Sequence, residues 1–398
     1  MRVLVVHNDY VSANPSGERR VVADDQENLR AAGVEVRSHI RSSDEIPGLS
    51  KARKAELLIR PAYSREDAGK VAKLLAAEKI DILHLHNPYP LISPNVVRVA
   101  RAAGVPVVQT VHNYRMACVN GSFFRDGQVC VECTTLRVPL PAIEHSCYRE
   151  SRPQSVVMAA TLAVHRPTWR LVDRFLPVTP FMVRHLLDAG ISAPRITPKP
   201  NTVRDPGPAT PVTGRGLVFA GRLVDEKGVG LLLAAWERFQ SAGGGWLTEL
   251  TLVGDGPLRE RVERAAATVP GVRYLGPVPS DRVDELMRAA AAVAVPSLWF
   301  EGFPMTVLEA YAHGRGVIGT PVGSVGTIVD DEVGWRAAGT NVDDLIAVLR
   351  GVDEDSAARR GAAARARFAA NYTPEVVTKQ LVAIYEDVLA LRRARLRG

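Results

Sequence analysis

The sequence predicts an α/β protein built from two Rossmann-like domains that face each other across a cleft. Short apolar strands alternate with amphipathic helices through the first half of the chain, and the same alternation repeats in the second half. A segment rich in Pro, Thr and Gly, residues 194–214, separates the two halves and is typical of an interdomain linker. A chain of 398 residues is also too long for one ordinary hydrophobic core.

The first half supplies the strands of one parallel sheet. Strands are predicted at 3–6, 34–38, 80–86 and 105–111, with helices at 21–32, 66–78 and 94–103. This order requires a parallel sheet with helices on both faces, and such sheets bind ligands at the carboxyl ends of their strands. The polar side chains expected at that edge are His7, Asn8, Asp9, His86, Asn87, His112 and Asn113.

The second half predicts a similar sheet. Its strands are expected at 216–220, 249–253, 272–274, 291–295 and 316–320, and its helices at 229–242, 258–267, 281–289 and after Pro304. Neither half carries a G-x-G-x-x-G sequence after its first strand, and the chain has no Walker A sequence. These absences argue against a nicotinamide-dependent dehydrogenase and against a P-loop nucleotide hydrolase.

The composition is that of a soluble globular protein, with 46% hydrophobic and 23% charged residues. No apolar run reaches the roughly 20 residues that span a bilayer, and the first residues lack the cleavage site of a signal peptide, so we expect a cytoplasmic protein. The net charge of +7 and the basic residues 391–398 fit either a solvated terminal helix or contact with the inner face of a membrane. No basic-aromatic platform predicts nucleic-acid binding.

Residues 297–311 carry the clearest chemical signal. Glu301 and Glu309 lie eight positions apart, and a Gly-Phe-Pro turn separates them. Pro304 fits the first turn of a helix, so Glu301 should precede the helix and Glu309 should lie one turn inside it. The first amide groups of that helix would then form an anion site, and they belong to Met305, Thr306 and Val307. Two carboxylates beside an anion site suit a ligand that joins sugar hydroxyls to a phosphate.

This segment resembles the E-x7-E motif of retaining glycosyltransferases with the GT-B architecture, in particular glycosyltransferase family 4. The resemblance implies that Glu309 accepts hydrogen bonds from the ribose and that Glu301 contacts the transferred sugar. It further implies donor contacts from the turn and the helix start, through Gly302, Phe303, Pro304, Met305 and Thr306. Catalysis in the family needs no Asp-x-Asp metal motif. The acidic residues 353–355 are better explained as charge at a helix N-terminus.

A second segment of the same half, residues 219–228, resembles the G-R-L-x-x-x-K-G sequence of family 4. There Gly221 lets the backbone approach the ligand, while Arg222 and Lys227 would hold the donor diphosphate and stabilise the departing charge. The resemblance extends to two weaker signals that would form the nucleotide pocket: the turn at Gly254, and the segment with Tyr274, Pro277 and Val278. Tyr274 also fits an ordinary aromatic residue of a core strand.

The first half matches the family less specifically. Residues 14–18 resemble its glycine-rich loop, but Ser16 precedes Gly17 where many members have two glycines. Residues 109–113 resemble the T-x-H segment, which makes His112 the expected catalytic residue of this half. The resemblance divides the chain into an acceptor-side domain, residues 1–200, and a donor-side domain, residues 201–373. The terminal helix from 374 would cross back to the first domain.

All four cysteines fall in one window, which contains Cys118, Cys130, Cys133 and Cys147. Four thiolates with one C-x-x-C pair can form a structural zinc site. Reduced buried thiols and disulfides are the other two interpretations, and the absence of a signal peptide argues against disulfides. The segment between the cysteines is poor in apolar residues and should lack its own core. A subgroup of family 4 carries a similar cysteine-containing insert.

The sequence therefore predicts a metal-independent, retaining glycosyltransferase of the hexosyltransferase type. Its donor would be a nucleotide diphosphate sugar, with UDP favoured over GDP. Its acceptor would be a glycan, a lipid-linked sugar or a small molecule, as in polysaccharide, glycolipid or glycoconjugate synthesis. Two alternatives remain at this point: a nucleotide-sugar epimerase of the same architecture, and a non-catalytic protein that binds nucleotide sugars.

Overall fold

The computed structural model of the protein describes residues 1–12 and 17–397. The chain forms two compact units, and each has its own parallel sheet. The first unit comprises Met1–Phe123, Val131–Asn201 and the C-terminal segment from Glu375, and the second comprises Phe124–Cys130 and Thr202–Pro374. This organisation is the two-domain α/β fold with parallel sheets that the alternating pattern predicts.

The helices and strands up to residue 200 are β1 Arg2–Asp9, α1 Gly17–Ala31, β2 Glu35–Ser42, α2 Lys51–Glu56, α3 Arg65–Ala77, β3 Ile82–Leu85, α4 Asn95–Ala102, β4 Val107–Val111, β5 Phe124–Arg125, β6 Gln128–Val129, α5 Leu140–Glu144, α6 Arg152–Trp169, β7 Arg174–Pro177 and α7 Pro180–Asp188. The sheet of the first unit has the order β2-β1-β3-β4-β7, and all its strands are parallel. Every residue of β3 and β4 is buried, because helices cover both faces of the sheet.

The elements of the second unit are β8 Gly216–Ala220, α8 Val229–Ser241, β9 Glu249–Val253, α9 Arg259–Thr268, β10 Val272–Tyr274, α10 Ser280–Ala289, β11 Ala292–Val295, α11 Met305–Ala312, β12 Gly316–Gly319, α12 Gly323–Ile328, β13 Gly334–Arg336, α13 Val342–Arg350 and α14 Glu354–Asn371. Its sheet has the order β10-β9-β8-β11-β12-β13 and is also parallel. Asp353 caps α14 and accepts a hydrogen bond from the Ser356 amide, so this acidic stretch serves the helix start.

The last helix, α15 Pro374–Arg397, packs on the sheet of the first unit. Its buried residues Leu381, Ile384 and Tyr385 share a core cluster with Val3 of β1. The Tyr385 hydroxyl lies 2.6 Å from Nδ1 of His84 in β3. The helix therefore completes the core of the first unit, although residues Thr202–Pro374 of the second unit separate it from the rest of that unit in the sequence.

The segment predicted as an interdomain linker is only partly a linker. Lys199 is fully buried, and its ammonium group lies 2.6 Å from a carboxylate oxygen of Asp25 in α1. Asn201 and Thr202 are buried as well. Residues from Arg204 onward are mainly exposed, so only this later part matches the exposed linker that the Pro, Thr and Gly content predicts.

None of the helices that the structure describes combines the length and the apolar character needed to cross a membrane.

Candidate active site

Lys227 and Glu301 form the central ion pair of the second unit. Lys227 ends a short 3-10 turn after β8, and Glu301 follows β11 in the loop before α11. The Lys227 ammonium donates to Glu301 Oε1 at 2.7 Å, and the Ser297 hydroxyl donates to the same oxygen at 2.7 Å. Glu301 is only 4% exposed, whereas the Lys227 side chain is 23% exposed. The cation therefore keeps a solvent-facing side while a buried carboxylate fixes its position.

The pKa of Glu301 lies below its ordinary value. Burial acts to raise this pKa, but the neighbouring Lys227 charge and the hydrogen bonds from Lys227 and Ser297 lower it by more. The carboxyl group is thus ionised at neutral pH. An ionised carboxylate accepts hydrogen bonds and does not donate a proton, which suits a group that positions sugar hydroxyls.

The start of α11 differs from the prediction by one position. Pro304 is the N-cap residue and the first helical residue is Met305, so Pro304 precedes the first turn instead of lying inside it. The amide of Val307 donates to the Pro304 carbonyl at 2.9 Å, and it is therefore not available to an anion as the sequence predicts. Thr306 ties the helix start to the end of β8, because its hydroxyl donates to the Ala220 carbonyl at 3.3 Å. Glu309 lies one turn inside the helix and is half-buried.

The Gly302–Phe303 turn is held by α12 and by the residue that follows α14. The Ser324 hydroxyl donates to the Gly302 carbonyl at 2.9 Å. The Phe303 ring meets the Tyr372 ring edge to face, with centroids 6.0 Å apart. These two contacts hold the loop that carries Glu301 in place.

Two glycines bring the loops after β8 and β9 into backbone contact. Gly254 has φ +133°, and a Cβ there would lie 1.9 Å from the Gly221 carbonyl oxygen. The Gly221 amide in turn donates to the Val253 carbonyl at 3.0 Å. Around Gly221 itself, an added Cβ would meet only the Phe219 ring at an ordinary 3.7 Å. The protein fold does not demand a glycine at 221, so the missing side chain leaves room for a ligand.

Arg222 does not join the Lys227 pair. Its side chain is 54% exposed and lies 3.3 Å from Glu226 Oε1. An exposed pair of this kind contributes little to stability and separates at low cost. The guanidinium group can therefore turn toward an anion more readily than Lys227 can.

The segment predicted to meet the nucleobase is tied to the Gly254 turn. Tyr274 is half-buried, and its hydroxyl donates to the Gly254 carbonyl at 2.9 Å, while the Gly254 amide donates to the Gly276 carbonyl at 3.0 Å. Pro277 is exposed and Val278 is half-buried. Tyr274 thus supports the turn through its hydroxyl group.

In the first unit, His112 pairs with His86 at the carboxyl ends of β4 and β3. His86 Nδ1 lies 2.9 Å from His112 Nε2, and the two rings stack with centroids 5.2 Å apart. Burial lowers the pKa of both imidazoles well below the ordinary value, and nearby histidines and Lys199 add to this effect. Both rings are therefore neutral at pH 7, so one nitrogen of the pair donates the shared proton and the other accepts it.

These two rings border a pocket, here called the histidine pocket, at the strand ends of the first unit. The buried Tyr89 hydroxyl and the Gln109 amide oxygen line it, and neither atom has a hydrogen-bond partner within residues 1–12 and 17–397. Buried polar atoms without protein partners are costly, so these two atoms are available to hydrogen-bond with water or with a ligand. Sequence reasoning missed Tyr89 and the role of Gln109, although a glutamine inside the apolar strand β4 is a signal of this kind.

The predicted glycine-rich loop lies mostly outside the described residues, which omit Ala13, Asn14, Pro15 and Ser16. Gly17 is the first residue of α1 and is exposed. Glu18 follows it and lines the histidine pocket. Burial raises the pKa of Glu18, against the opposing effect of His7 and Arg115.

The cysteine-containing segment packs into a small core cluster that it shares with Tyr89 and helix α6. Cys133 and Cys147 pack against a buried cluster that includes Val119, Tyr148 and Met158 of α6. All four cysteines, Cys118, Cys130, Cys133 and Cys147, are half-buried. In the part of the chain that the structure describes, no group of three or more His, Cys, Asp or Glu side chains has the geometry of a metal site. Structural zinc therefore stays a prediction from the sequence.

Comparisons with known proteins agree with this architecture. Residues 16–202 match the family Glycosyl transferase 4-like domain, and residues 214–355 match Glycosyl transferases group 1. The phosphatidyl-myo-inositol mannosyltransferase of Mycolicibacterium smegmatis is 26% identical over 94% of this chain and 91% of its own length. The D-inositol 3-phosphate glycosyltransferase of Acidothermus cellulolyticus is 30% identical over 79% of this chain and 68% of its own length.

A solved structure of Anabaena HepE in complex with UDP and glucose shares the fold. It superposes with a TM-score of 0.63 and 15% identity, covering 96% of this chain and 99% of HepE. Both halves of the chain thus match glycosyltransferase families, and both sheets have the expected topology. The chain belongs to glycosyltransferase family 4, and its fold is GT-B.

Proposed function

We propose that this glycosyltransferase transfers a sugar from a UDP-sugar to an acceptor hydroxyl with retention of configuration at the anomeric carbon. The second unit binds the donor and the first unit binds the acceptor. Lys227 and Arg222 compensate the diphosphate charge, and no step of this proposal requires a metal ion.

The Lys227–Glu301 pair carries this proposal. A carboxylate that is 4% exposed holds the ammonium group at 2.7 Å, while the ammonium keeps an exposed side. A donor that arrives there offers sugar hydroxyls to Glu301 and phosphate oxygens to Lys227. When a ligand covers them, the Glu301 carboxylate needs hydrogen-bond donors and the Lys227 ammonium needs acceptors or negative charge. A nucleotide sugar supplies both, through its sugar hydroxyls and its phosphate oxygens.

The remaining donor residues have roles that fit this pose. Glu309 accepts hydrogen bonds from the ribose, and the amides of Met305 and Thr306 at the start of α11 face the phosphates. The open side of Gly221 admits the diphosphate beside the backbone. The solved complex of HepE with UDP and glucose supports UDP as the nucleotide part of the donor.

The histidine pocket supports a hydroxyl-rich acceptor. The unpartnered Tyr89 hydroxyl and Gln109 amide oxygen would bind acceptor hydroxyls, and the neutral His112 would position the reacting sugar. Two relatives are named for the transfer of sugars to inositol-containing molecules, which are rich in hydroxyl groups.

The proposed mechanism is a front-face displacement. The acceptor oxygen bonds to the anomeric carbon on the face from which the diphosphate leaves, and the bond between that carbon and the phosphate oxygen breaks. The departing phosphate takes the acceptor proton, and Lys227 and Arg222 stabilise its charge. Glu301 stays ionised throughout, in accordance with its lowered pKa.

The experiment is incubation of the purified protein with UDP- and GDP-sugars, alone and with a set of polyol and glycoside acceptors. We expect slow hydrolysis of one UDP-sugar, faster turnover with an acceptor, and a product whose anomeric configuration equals that of the donor by NMR. Binding of no nucleotide sugar in calorimetry contradicts the proposal. Conversion of the donor to its epimer without an acceptor indicates the epimerase, and binding without any turnover indicates a non-catalytic protein.

A further inference from the structure

His86 is packed against two other histidines of the first unit. His84 lies in β3, and His86 follows the last residue of that strand and extends it, because its amide donates to the Val6 carbonyl at 2.9 Å. Two positions apart in an extended chain, the two side chains share one face of the sheet, and their ring centroids are 4.2 Å apart. The His7 ring meets His86 edge to face at 6.0 Å. His86 is 2% exposed, so these neighbours restrict the rotation of its ring.

His84 is the most firmly held member of this group. The Tyr385 hydroxyl lies 2.6 Å from its Nδ1 and the Thr110 hydroxyl lies 2.8 Å from its Nε2, so both ring nitrogens have partners. The residue is fully buried, and burial lowers its pKa to about 3, which keeps the ring neutral at pH 7. A neutral ring with two bonded nitrogens is held in one orientation, and it forms a rigid support for His86.

The contact between His86 and His112 determines which nitrogen of His112 remains available. His86 Nδ1 lies 2.9 Å from His112 Nε2, which is the distance of an ordinary hydrogen bond. Within residues 1–12 and 17–397, Nδ1 of His112 has no hydrogen-bond partner. His112 is half-buried and lines the histidine pocket. Its Nδ1 is therefore the ring nitrogen that a ligand in this pocket can bind.

We propose that His86 is a positioning residue that directs Nδ1 of His112 toward a hydroxyl group of the substrate. It does so by holding Nε2, which fixes the orientation of the His112 ring. A hydroxyl group both donates and accepts hydrogen bonds, so Nδ1 can bind it whichever ring carries the proton between His86 and His112. This proposal rests on the proposed function, because it assigns the contact through which His112 acts there.

The hydrogen bond between the two rings can be measured without any substrate. In deuterated protein labelled with ¹⁵N-histidine, a proton between two nitrogens gives a scalar coupling across the hydrogen bond in NMR. We expect such a coupling between Nδ1 of His86 and Nε2 of His112, and its loss in His86→Leu identifies it.

Two replacements of His86 separate the hydrogen bond from the volume of the ring. Asn has an amide group near the position of histidine Nδ1 and can keep the bond to His112, whereas Leu fills similar space without it. His86→Leu should lower kcat by about 10², because a small displacement of a positioned group has an effect of that size, and His86→Asn should stay within about threefold of the wild type. The KM for the nucleotide sugar should be unchanged in both variants, because the donor residues belong to the second unit.

Two replacements of His112 identify the nitrogen that binds the substrate. The amide nitrogen of Asn lies near the position of Nδ1, and that of Gln, which has one more carbon atom, lies near the position of Nε2. His112→Asn should therefore keep about tenfold more activity than His112→Gln, the effect of one hydrogen bond to the substrate.

His165 provides a matched control for the loss of a buried histidine. It is 2% exposed, as His86 is, and its ring nitrogens lie 2.6 Å from the Ala62 carbonyl and 3.0 Å from the Thr168 hydroxyl. It does not line the histidine pocket. His165→Leu should lower the urea midpoint of unfolding but leave the kcat of the folded protein unchanged.

Four results overturn the proposal. Absence of the coupling in the wild-type protein shows that the rings are not hydrogen-bonded. An equal loss of kcat in His86→Asn and His86→Leu shows that the bond is not the cause, and an equal loss in His165→Leu assigns the effect to general packing. Activity of His112→Gln that equals or exceeds that of His112→Asn contradicts the assignment of Nδ1. In an enzyme that transfers sugar, each of these results leaves the proposed function standing, whereas a wild-type protein without transfer contradicts that function itself.

Discussion

Lys227 and Glu301 stand 74 residues apart in the sequence, yet each determines the electrostatic environment of the other. The sequence motifs predict that both residues belong to the donor site, but they do not predict that the two side chains touch. The contact depends on the fold, which places the turn after β8 next to the loop after β11; these strands are sheet neighbours. The same limit applies to Val307, whose amide is used by the Pro304 carbonyl in a way that no spacing rule reveals.

Replacement of Lys227 should weaken both catalysis and folding, for two separate reasons. Lys227→Ala removes a cation from the leaving group, and loss of one such group typically lowers kcat by about 10²–10³. It also leaves the buried Glu301 carboxylate without its partner, which typically destabilises a protein by about 3–5 kcal/mol. Steady-state kinetics and urea unfolding of the same variant measure the two effects separately.

A double variant separates the two causes. Lys227→Ala/Glu301→Gln removes the uncompensated buried charge, so it should recover much of the lost stability but none of the lost activity. Recovery of activity in the double variant would mean that Lys227 acts only by neutralising Glu301, and the role in leaving-group stabilisation would be wrong.

At the scale of the element, the loops after β8 and β9 act as one structure because of Gly254. Its φ of +133° and the 1.9 Å distance from a hypothetical Cβ to the Gly221 carbonyl leave no space for a side chain. Gly254→Ala should therefore displace the Gly221 backbone, and we expect UDP affinity to fall at least tenfold in calorimetry. The sequence identifies this turn only weakly, because Gly-Asp-Gly is common in turns of many kinds.

A matched glycine variant controls for backbone strain. Gly243 also has a positive φ, +93°, but an added Cβ there meets nothing within 4 Å. Gly243→Ala lies between α8 and β9, and it should cost about 1–2 kcal/mol of stability from strain alone, with unchanged UDP affinity. Equal loss of affinity in both variants would show that strain, and not the contact with Gly221, weakens binding.

The elements that sequence reasoning predicted best are those with sharp boundaries. Strands β8, β9 and β10 start and end as predicted, because short apolar runs are bounded there by turn residues. Helix α6 was not predicted. It contains Pro167 within its last turn and an almost continuous apolar run over residues 156–164, so its pattern does not show the usual periodicity. Tertiary packing of Met158 and Leu162 determines this helix, and these contacts are not visible in the sequence.

For the whole molecule, alternation of strands and helices was enough to predict two α/β units. Alternation was not enough to place α15. Its position in the first unit, where it contacts β1 and β3, was predicted by the resemblance to family 4 and not by periodicity. The length of the linker was overestimated for a physical reason. A content of Pro, Thr and Gly indicates an exposed segment, but the burial of Lys199 depends on an ion pair with Asp25, 174 residues away in the sequence.

Histidines are distributed unevenly between the two units, and this has a consequence for acid stability. Eight of the nine histidines belong to the first unit, and only His313 belongs to the second. In the first unit, burial lowers the pKa of five of them, namely His84, His86, His112, His165 and His185. Burial lowers the pKa of His313 too, so the second unit has one such group where the first has five.

The first unit should therefore lose stability sooner on acidification. Burial lowers the pKa of His84 to about 3, whereas an unfolded histidine titrates near 6.5. Below pH 6.5 the unfolded chain binds protons that the folded unit does not, so this stability is present above pH 6.5 and is lost as the pH falls toward 3. At pH 5.0 this costs the folded unit about 2 kcal/mol for His84 relative to pH 7.5.

Pulse proteolysis in urea at pH 7.5 and 5.0, with fragments assigned to each unit by mass spectrometry, measures this difference. We expect the urea midpoint of the first unit to fall more than that of the second. His84→Gln keeps a polar side chain but cannot titrate, so it should reduce the pH dependence of the first unit by about 2 kcal/mol. Equal midpoint shifts in both units would contradict the prediction, because the histidines that burial keeps neutral are concentrated in only one of them.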